Sequence, residues 1–93
     1  MAKATYPAEW GLTPLEAAYL TRLRSGKILG PGNFSELHPR VVTDVRGRVR
    51  KTMAQLRRKL DPLDVEITTK WHEGWVLGRA ARARLTGLLN LKG

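Results

Sequence analysis

Between Asp44 and Leu60 the apolar residues Val45, Val49, Met53, Leu56 and Leu60 recur at spacings of four, four, three and four. That period suits one face of an α-helix and no strand. The spacing predicts a helix from about Thr43 or Asp44 to Leu60, stopped by Asp61-Pro62. Around the helical wheel Gly47, Lys51, Ala54 and Arg58 point most directly away from the stripe. Arg50 and Thr43 flank them on one side, and Gln55, Arg48 and Asp44 on the other. Any fold of this chain must hold the stripe against a core and leave a long, cationic face outside, with small residues at its centre.

That face carries most of the chain's charge. There are 17 Lys and Arg against 8 Asp and Glu, a net charge of +9 and a pI of about 10.9. Arg40, Arg46, Arg48, Arg50, Lys51, Arg57, Arg58 and Lys59 lie between Arg40 and Leu60, opposed only by Asp44. Arg79, Arg82 and Arg84 form a weaker cluster. A basic stripe concentrated on one element is the footprint of a polyanion partner; a solvated face ordinarily mixes signs.

Other elements fall on either side. Residues 1–11, with Pro7 and no clear period, read as an arm or one short strand. In Leu12-Thr13-Pro14-Leu15-Glu16, Thr13 is placed to cap a helix, Pro14 suits its first position, and Glu16 is placed to reach back to the cap's amide. Leu15, Ala18, Tyr19 and Leu23 continue at helical spacing to Ser25-Gly26. Lys27-Ile28-Leu29 reads as a link and Gly30-Pro31-Gly32 as a turn. A brief helix capped by Asn33 follows, facing Phe34 and Leu37 to one core and ending at Pro39. "ITTKWHEGWVL" (67–77) has two β-favouring runs around a short turn with one glycine, the pattern of a hairpin. Residues 79–91 read as an amphipathic helix with Ala81, Leu85, Leu88 and Leu89 on its apolar side.

The remaining composition sets limits. Ninety-three residues make one domain with a modest core. Cysteine is absent, which removes disulfides, thiolate metal sites and thiol nucleophiles. No run approaches the roughly 20 apolar residues of a membrane span, and the first residues lack a signal-peptide pattern. The expectation is a cytoplasmic, nucleoid-associated protein with no membrane partner. Two histidines and eight carboxylates form no H-x-x-x-H, nucleophile motif or phosphate loop. His38, beside Pro39, reads as a turn residue. No enzyme activity, metal or cofactor is expected.

Helix, short helix, long basic helix, hairpin is the order of a winged helix, and the residues resemble the DNA-binding domain of OmpR/PhoB-type response regulators. "LTPLEAAYL" (12–20) is similar to that family's opening L-T-x-x-E helix. "VRKTMAQLRRKL" (49–60) is similar to its recognition helix, which ends in L-R-x-K-L. "ITTKWHEGWVL" resembles its wing, I-x-T-x-x-x-x-G-Y-x-L, with Trp75 in place of the tyrosine and His72 in place of a preferred glycine. The resemblance implies an α+β fold: a winged helix-turn-helix over 12–78, a three-helix core plus wing. Residues 79–93 add a further helix, which covers the surface left by the family's N-terminal sheet or forms a dimer. The chain is expected to depart from the family in lacking its N-terminal four-stranded sheet and its phosphorylatable receiver domain, neither of which fits in the residues before Thr13.

The function so implied is sequence-preferring binding of double-stranded DNA in transcription regulation, with helix 44–60 in the major groove and wing 68–75 at the minor groove. Arg48, Lys51, Gln55 and Arg58 are the expected groove contacts, since arginine suits guanine and glutamine suits adenine. Arg46, Arg50 and Arg57 would hold phosphates, although Arg57 and Lys59 flank the stripe and have pairing with acidic residues as the alternative. Thr13 and the free amides at its helix start would face a phosphate. Lys70, Trp71 and His72 would meet the minor groove, Trp71 alternatively folding back onto the hairpin, and Trp75 would pack in the core. RNA polymerase and a homodimer on DNA are further partners. The rivals are a protein-interaction module using Trp71 and the last helix, and a nucleic-acid-binding protein that uses charge alone.

Overall fold

The computed structural model describes residues 6–38, 44–70 and 73–92. Trp71 and His72 lie outside the described residues, as do Pro39, Arg40 and Thr43. Among those described, four helices and one antiparallel hairpin share a single core: α1 (Pro14–Leu23), α2 (Pro31–Ser35), α3 (Val45–Leu60), β1 (Ile67–Lys70), β2 (Gly74–Leu77) and α4 (Arg79–Lys92). The class is α+β.

α1 begins with the capping box its sequence calls for. The Thr13 hydroxyl accepts from the Glu16 amide at 3.2 Å, and Glu16 Oε1 accepts from the Thr13 amide at 2.9 Å. Tyr19, Leu20 and Leu23 are fully buried, whereas Leu15 and Ala18 are only partly so. Tyr19 stacks on Phe34 at 4.5 Å and shares a 2.5 Å hydrogen bond with His38 Nε2, so α1 grips the segment around α2. Burial raises the Tyr19 phenol above its ordinary pKa of 10.0, opposed by a hydrogen bond from Thr52 on α3.

α2 starts three residues earlier than a cap at Asn33 implies, and it ends at Ser35 rather than running to Pro39. Pro31 is its first residue, and Asn33 Oδ1 instead reaches back to the Gly30 amide at 2.9 Å. The expected Gly30-Pro31-Gly32 turn is thus the opening of a helix, because proline's fixed φ suits a first turn as well as it suits a bend. Phe34 is fully buried and Leu37 packs beside it, as their spacing predicts.

α3 buries Val49, Met53, Leu56 and Leu60, with Val45 partly covered. A 3-10 turn over Asp61–Leu63 follows and leads to the hairpin, whose register is Ile67↔Leu77, Thr68↔Val76, Thr69↔Trp75 and Lys70↔Gly74. Ile67, Trp75 and Leu77 point into the core, and Trp75 meets Phe34 edge-on at 6.1 Å. The link between α1 and α2 takes part too: Leu29 exchanges two 2.8 Å main-chain hydrogen bonds with Trp75. This pairing answers for the turn's lone glycine. Gly74 has φ 133°, and a Cβ there would stand 2.7 Å from Gly30 Cα and Leu29 C, and closer still to Leu29 O.

One end departs from the sequence reading and the other follows it. Ala8–Trp10 form a 3-10 turn rather than a strand, and Trp10 is buried with Tyr6 stacked on it at 5.8 Å. α4 lays its apolar side on the same core, Leu85 fully buried and Ala81, Leu88 and Leu89 partly so. Arg82 and Arg84 donate to the carbonyls of Leu77 and Leu63, both at 3.2 Å, so the weaker cationic cluster is largely tied to main chain. Among the described residues no helix is long and apolar enough to cross a membrane.

Candidate nucleic-acid interface

α3 divides its polar residues into an outward set and an inward set. Arg46, Arg48, Arg50, Lys51, Gln55 and Arg58 are all exposed, together with Ala54. Lys51, Ala54 and Arg58 lie opposite Val49, Met53, Leu56 and Leu60, with Arg48, Arg50 and Gln55 on the flanks, whereas Arg46 is exposed close beside the stripe in the first turn. The side chain of Asp44 caps the helix, accepting from the Gly47 amide at 3.1 Å. A Cβ on Gly47 would stand 2.9 Å from the Asp44 carboxyl carbon. The small residue at this outward position therefore accommodates the cap, whereas Ala54 is open to solvent.

The inward set removes two cations from the interface that the sequence suggests. Arg57 is partly buried, and its Nη2 donates to the Ile67 carbonyl at 3.0 Å and to Thr69 Oγ1. It turns toward the hairpin rather than toward an external phosphate or an acidic residue. Lys59 reaches back to α1, where Nζ sits 2.5 Å from Glu16 Oε1 and 2.8 Å from the Gly11 carbonyl. Glu16 is only 2% exposed, and its Oε1 is met by both Lys59 and the Thr13 amide, so the buried carboxyl oxygen has its polar partners. Lys59 thus meets an acidic residue, the alternative its flanking position allowed.

Thr13 is exposed, but its hydroxyl and its amide are both engaged in the capping box. Pro14 contributes no N–H, so this helix start offers fewer outward amides than its sequence suggests. Lys70 is exposed at the end of β1, and its carbonyl accepts from the Glu73 amide at 3.0 Å to close the turn. Between β1 and the C-terminal half of α3 runs an open groove of about 760 Å³, lined by Ala54, Arg58 and Thr68 together with the acidic Asp61, Asp64 and Glu66.

The arrangement places six exposed polar or cationic side chains on one regular helix, with a hairpin bearing Lys70 beside it. Its chemistry is that of contact: hydrogen-bond donors and positive charge displayed on a rigid face. The links from Arg57 to the hairpin and from Lys59 to Glu16 were not resolved by sequence reasoning. The signal available was position, since both residues adjoin the buried Leu56 and Leu60. No protein-family model, curated protein or solved structure matched the chain.

Proposed function

We propose that the chain is a winged helix-turn-helix domain of the OmpR/PhoB type that binds duplex DNA with sequence preference and regulates transcription. The element order supports it: α1, the Leu29 pairing, α2, α3 and then the hairpin follow the winged-helix plan. The observation that carries the reading is the exposed side of α3, where Arg46, Arg48, Arg50, Lys51, Gln55 and Arg58 reach solvent, with Asp44 at its start and Asp61, Asp64 and Glu66 in the groove beside Arg58. A helix roughly 10–12 Å across fits a major groove about 12 Å wide.

In this reading Arg48, Lys51, Gln55 and Arg58 meet base edges or the groove walls, and Arg46 and Arg50 hold phosphates. Lys70, with its neighbours Trp71 and His72, is directed to the adjacent minor groove. Binding rather than catalysis is the activity, with neither cofactor nor metal required. RNA polymerase and a second copy of the chain are the further partners the reading admits.

Selection from a random duplex DNA pool, followed by titration of the enriched pool against salt, tests it. The expected result is a recovered motif whose log affinity falls with log salt at about −0.9 per phosphate contact. Equal affinity for unrelated sequences reduces α3 to an electrostatic anchor. Absence of binding even at low salt replaces DNA with a protein partner.

A further inference from the structure

The hairpin is fastened unevenly. At its base Ile67 and Leu77 are buried, and on the β2 side Trp75 is bonded to Leu29. Toward the tip β1 has no such support, because Thr68, Thr69 and Lys70 are all exposed. Among the described residues, one side-chain hydrogen-bonding link runs from α3 to this strand: Arg57 Nη2, which donates to the Ile67 carbonyl and to Thr69 Oγ1. The two acceptors belong to the buried start and the exposed middle of β1, so a single guanidinium spans the strand just before Lys70. Both bonds leave from one nitrogen, Nη2, while Nε is buried with no hydrogen-bond partner among the described residues, so the guanidinium joins the strand at one point rather than through its fork.

We infer that Arg57 is a positioning residue for the DNA interface: by tying α3 to Ile67 and Thr69, it fixes the angle at which the hairpin presents Lys70 beside the exposed face of α3. This rests on the DNA-binding reading above. Two contacts on neighbouring grooves are made together at little ordering cost only if the elements carrying them keep a fixed relative angle. A free hairpin must be ordered at the moment of binding, and the second contact loses most of its value. Arg57 therefore acts through Lys70 and makes no phosphate contact itself.

A double-mutant cycle of Arg57→Met with Lys70→Ala, read as affinity for the selected duplex at several salt concentrations, tests the inference. Lys70→Ala is expected to weaken the wild type and to add little once Arg57 is Met, a coupling of about fivefold or more. The salt slope should fall by about one contact's worth in either single variant and no further in the double. In the free protein, Arg57→Met should speed amide exchange in β1 and β2 while leaving α1 protected. Should Arg57→Met fail to fold, Thr69→Val removes one acceptor at an exposed position and should show the same coupling at smaller size.

Additive losses, with the salt slope falling twice, overturn the inference and make Arg57 a phosphate contact. Unchanged affinity in Arg57→Met, or no coupling in Thr69→Val, overturns it as well and leaves the link a stabilising contact alone. The wild type is measured first. If it selects no motif, the DNA-binding reading itself falls; if it does and the cycle is additive, only the positioning role of Arg57 falls.

Discussion

Gly74→Ala should damage this fold out of proportion to one methyl group. Gly74 has φ 133°, where an L-residue costs on the order of 1–3 kcal/mol. The added Cβ would also stand 2.7 Å from Gly30 Cα and Leu29 C. These are main-chain atoms, so no rotamer change relieves the overlap. The hairpin must lift from the α1–α2 link, and lifting it breaks the two 2.8 Å hydrogen bonds between Leu29 and Trp75. At about 0.5–1.5 kcal/mol net for each bond, the total loss is about 2–6 kcal/mol. A small domain has roughly 5–15 kcal/mol in all. Urea unfolding followed by tryptophan fluorescence measures it, since Trp10 and Trp75 are both buried. Gly87→Ala is the matched control: it lies within α4, a methyl group there would meet nothing within 4 Å, and the change should gain about 0.5–1 kcal/mol. A loss below about 1 kcal/mol at Gly74 would refute the packing argument, because the backbone strain and two broken hydrogen bonds together exceed it.

The two classes of cation on α3 should separate in paired assays. Lys59→Met leaves Glu16 buried without its cation and should lower stability by about 1–3 kcal/mol with no change in the salt slope of DNA binding. Arg58→Ala or Lys51→Ala should do the reverse, lowering the slope by about one while the urea midpoint stays put. Gln55→Ala should relax base preference at one position of the selected motif by ~1–3 kcal/mol, read by competition between single-base variants; a uniform loss across bases would argue against readout by that residue. Tyr19 gives a pH dependence. Its folded pKa is raised above 10.0 by burial, so its contribution is complete below that pH and is lost as pH rises toward the folded value. Stability should therefore fall more steeply above pH 10 in the wild type than in Tyr19→Phe, and equal slopes in alkaline urea titrations would contradict it.

What the sequence revealed and what it concealed divide along physical lines. The α3 stripe and the α1 cap are local: Val49, Met53, Leu56 and Leu60 announce a buried face by their period, and Thr13 and Glu16 sit within one helical turn of each other. Trp75 was placed in the core by the likeness of its segment to a wing, not by a period of its own. Leu29 could not be found this way, because a single bridging residue has no period and its partner is remote in sequence. Trp10 was hidden for a related reason, being one aromatic in a segment without a pattern. The exposed face of α3 was legible as a wheel, but the fate of its flanks was not. Whether Arg57 and Lys59 face solvent, an acid or a carbonyl depends on where β1 and α1 come to lie, which only the assembled core decides.

The Leu29–Trp75 pairing also bears on how the chain reaches this structure. Those two hydrogen bonds join residues on either side of α2 and α3, so forming them closes one loop around both helices. Closing such a loop costs entropy before its own bonds return anything. The intervening helices reduce that cost once Phe34, Val49 and Leu56 have collapsed together, which makes the pairing a late event in folding. Leu29→Pro, which removes the amide N–H of one of these main-chain bonds, should then accelerate unfolding and leave the refolding rate almost unchanged, whereas Leu56→Ala should slow refolding. The element that carries Lys70 is accordingly the last to be set in place and the first to be released.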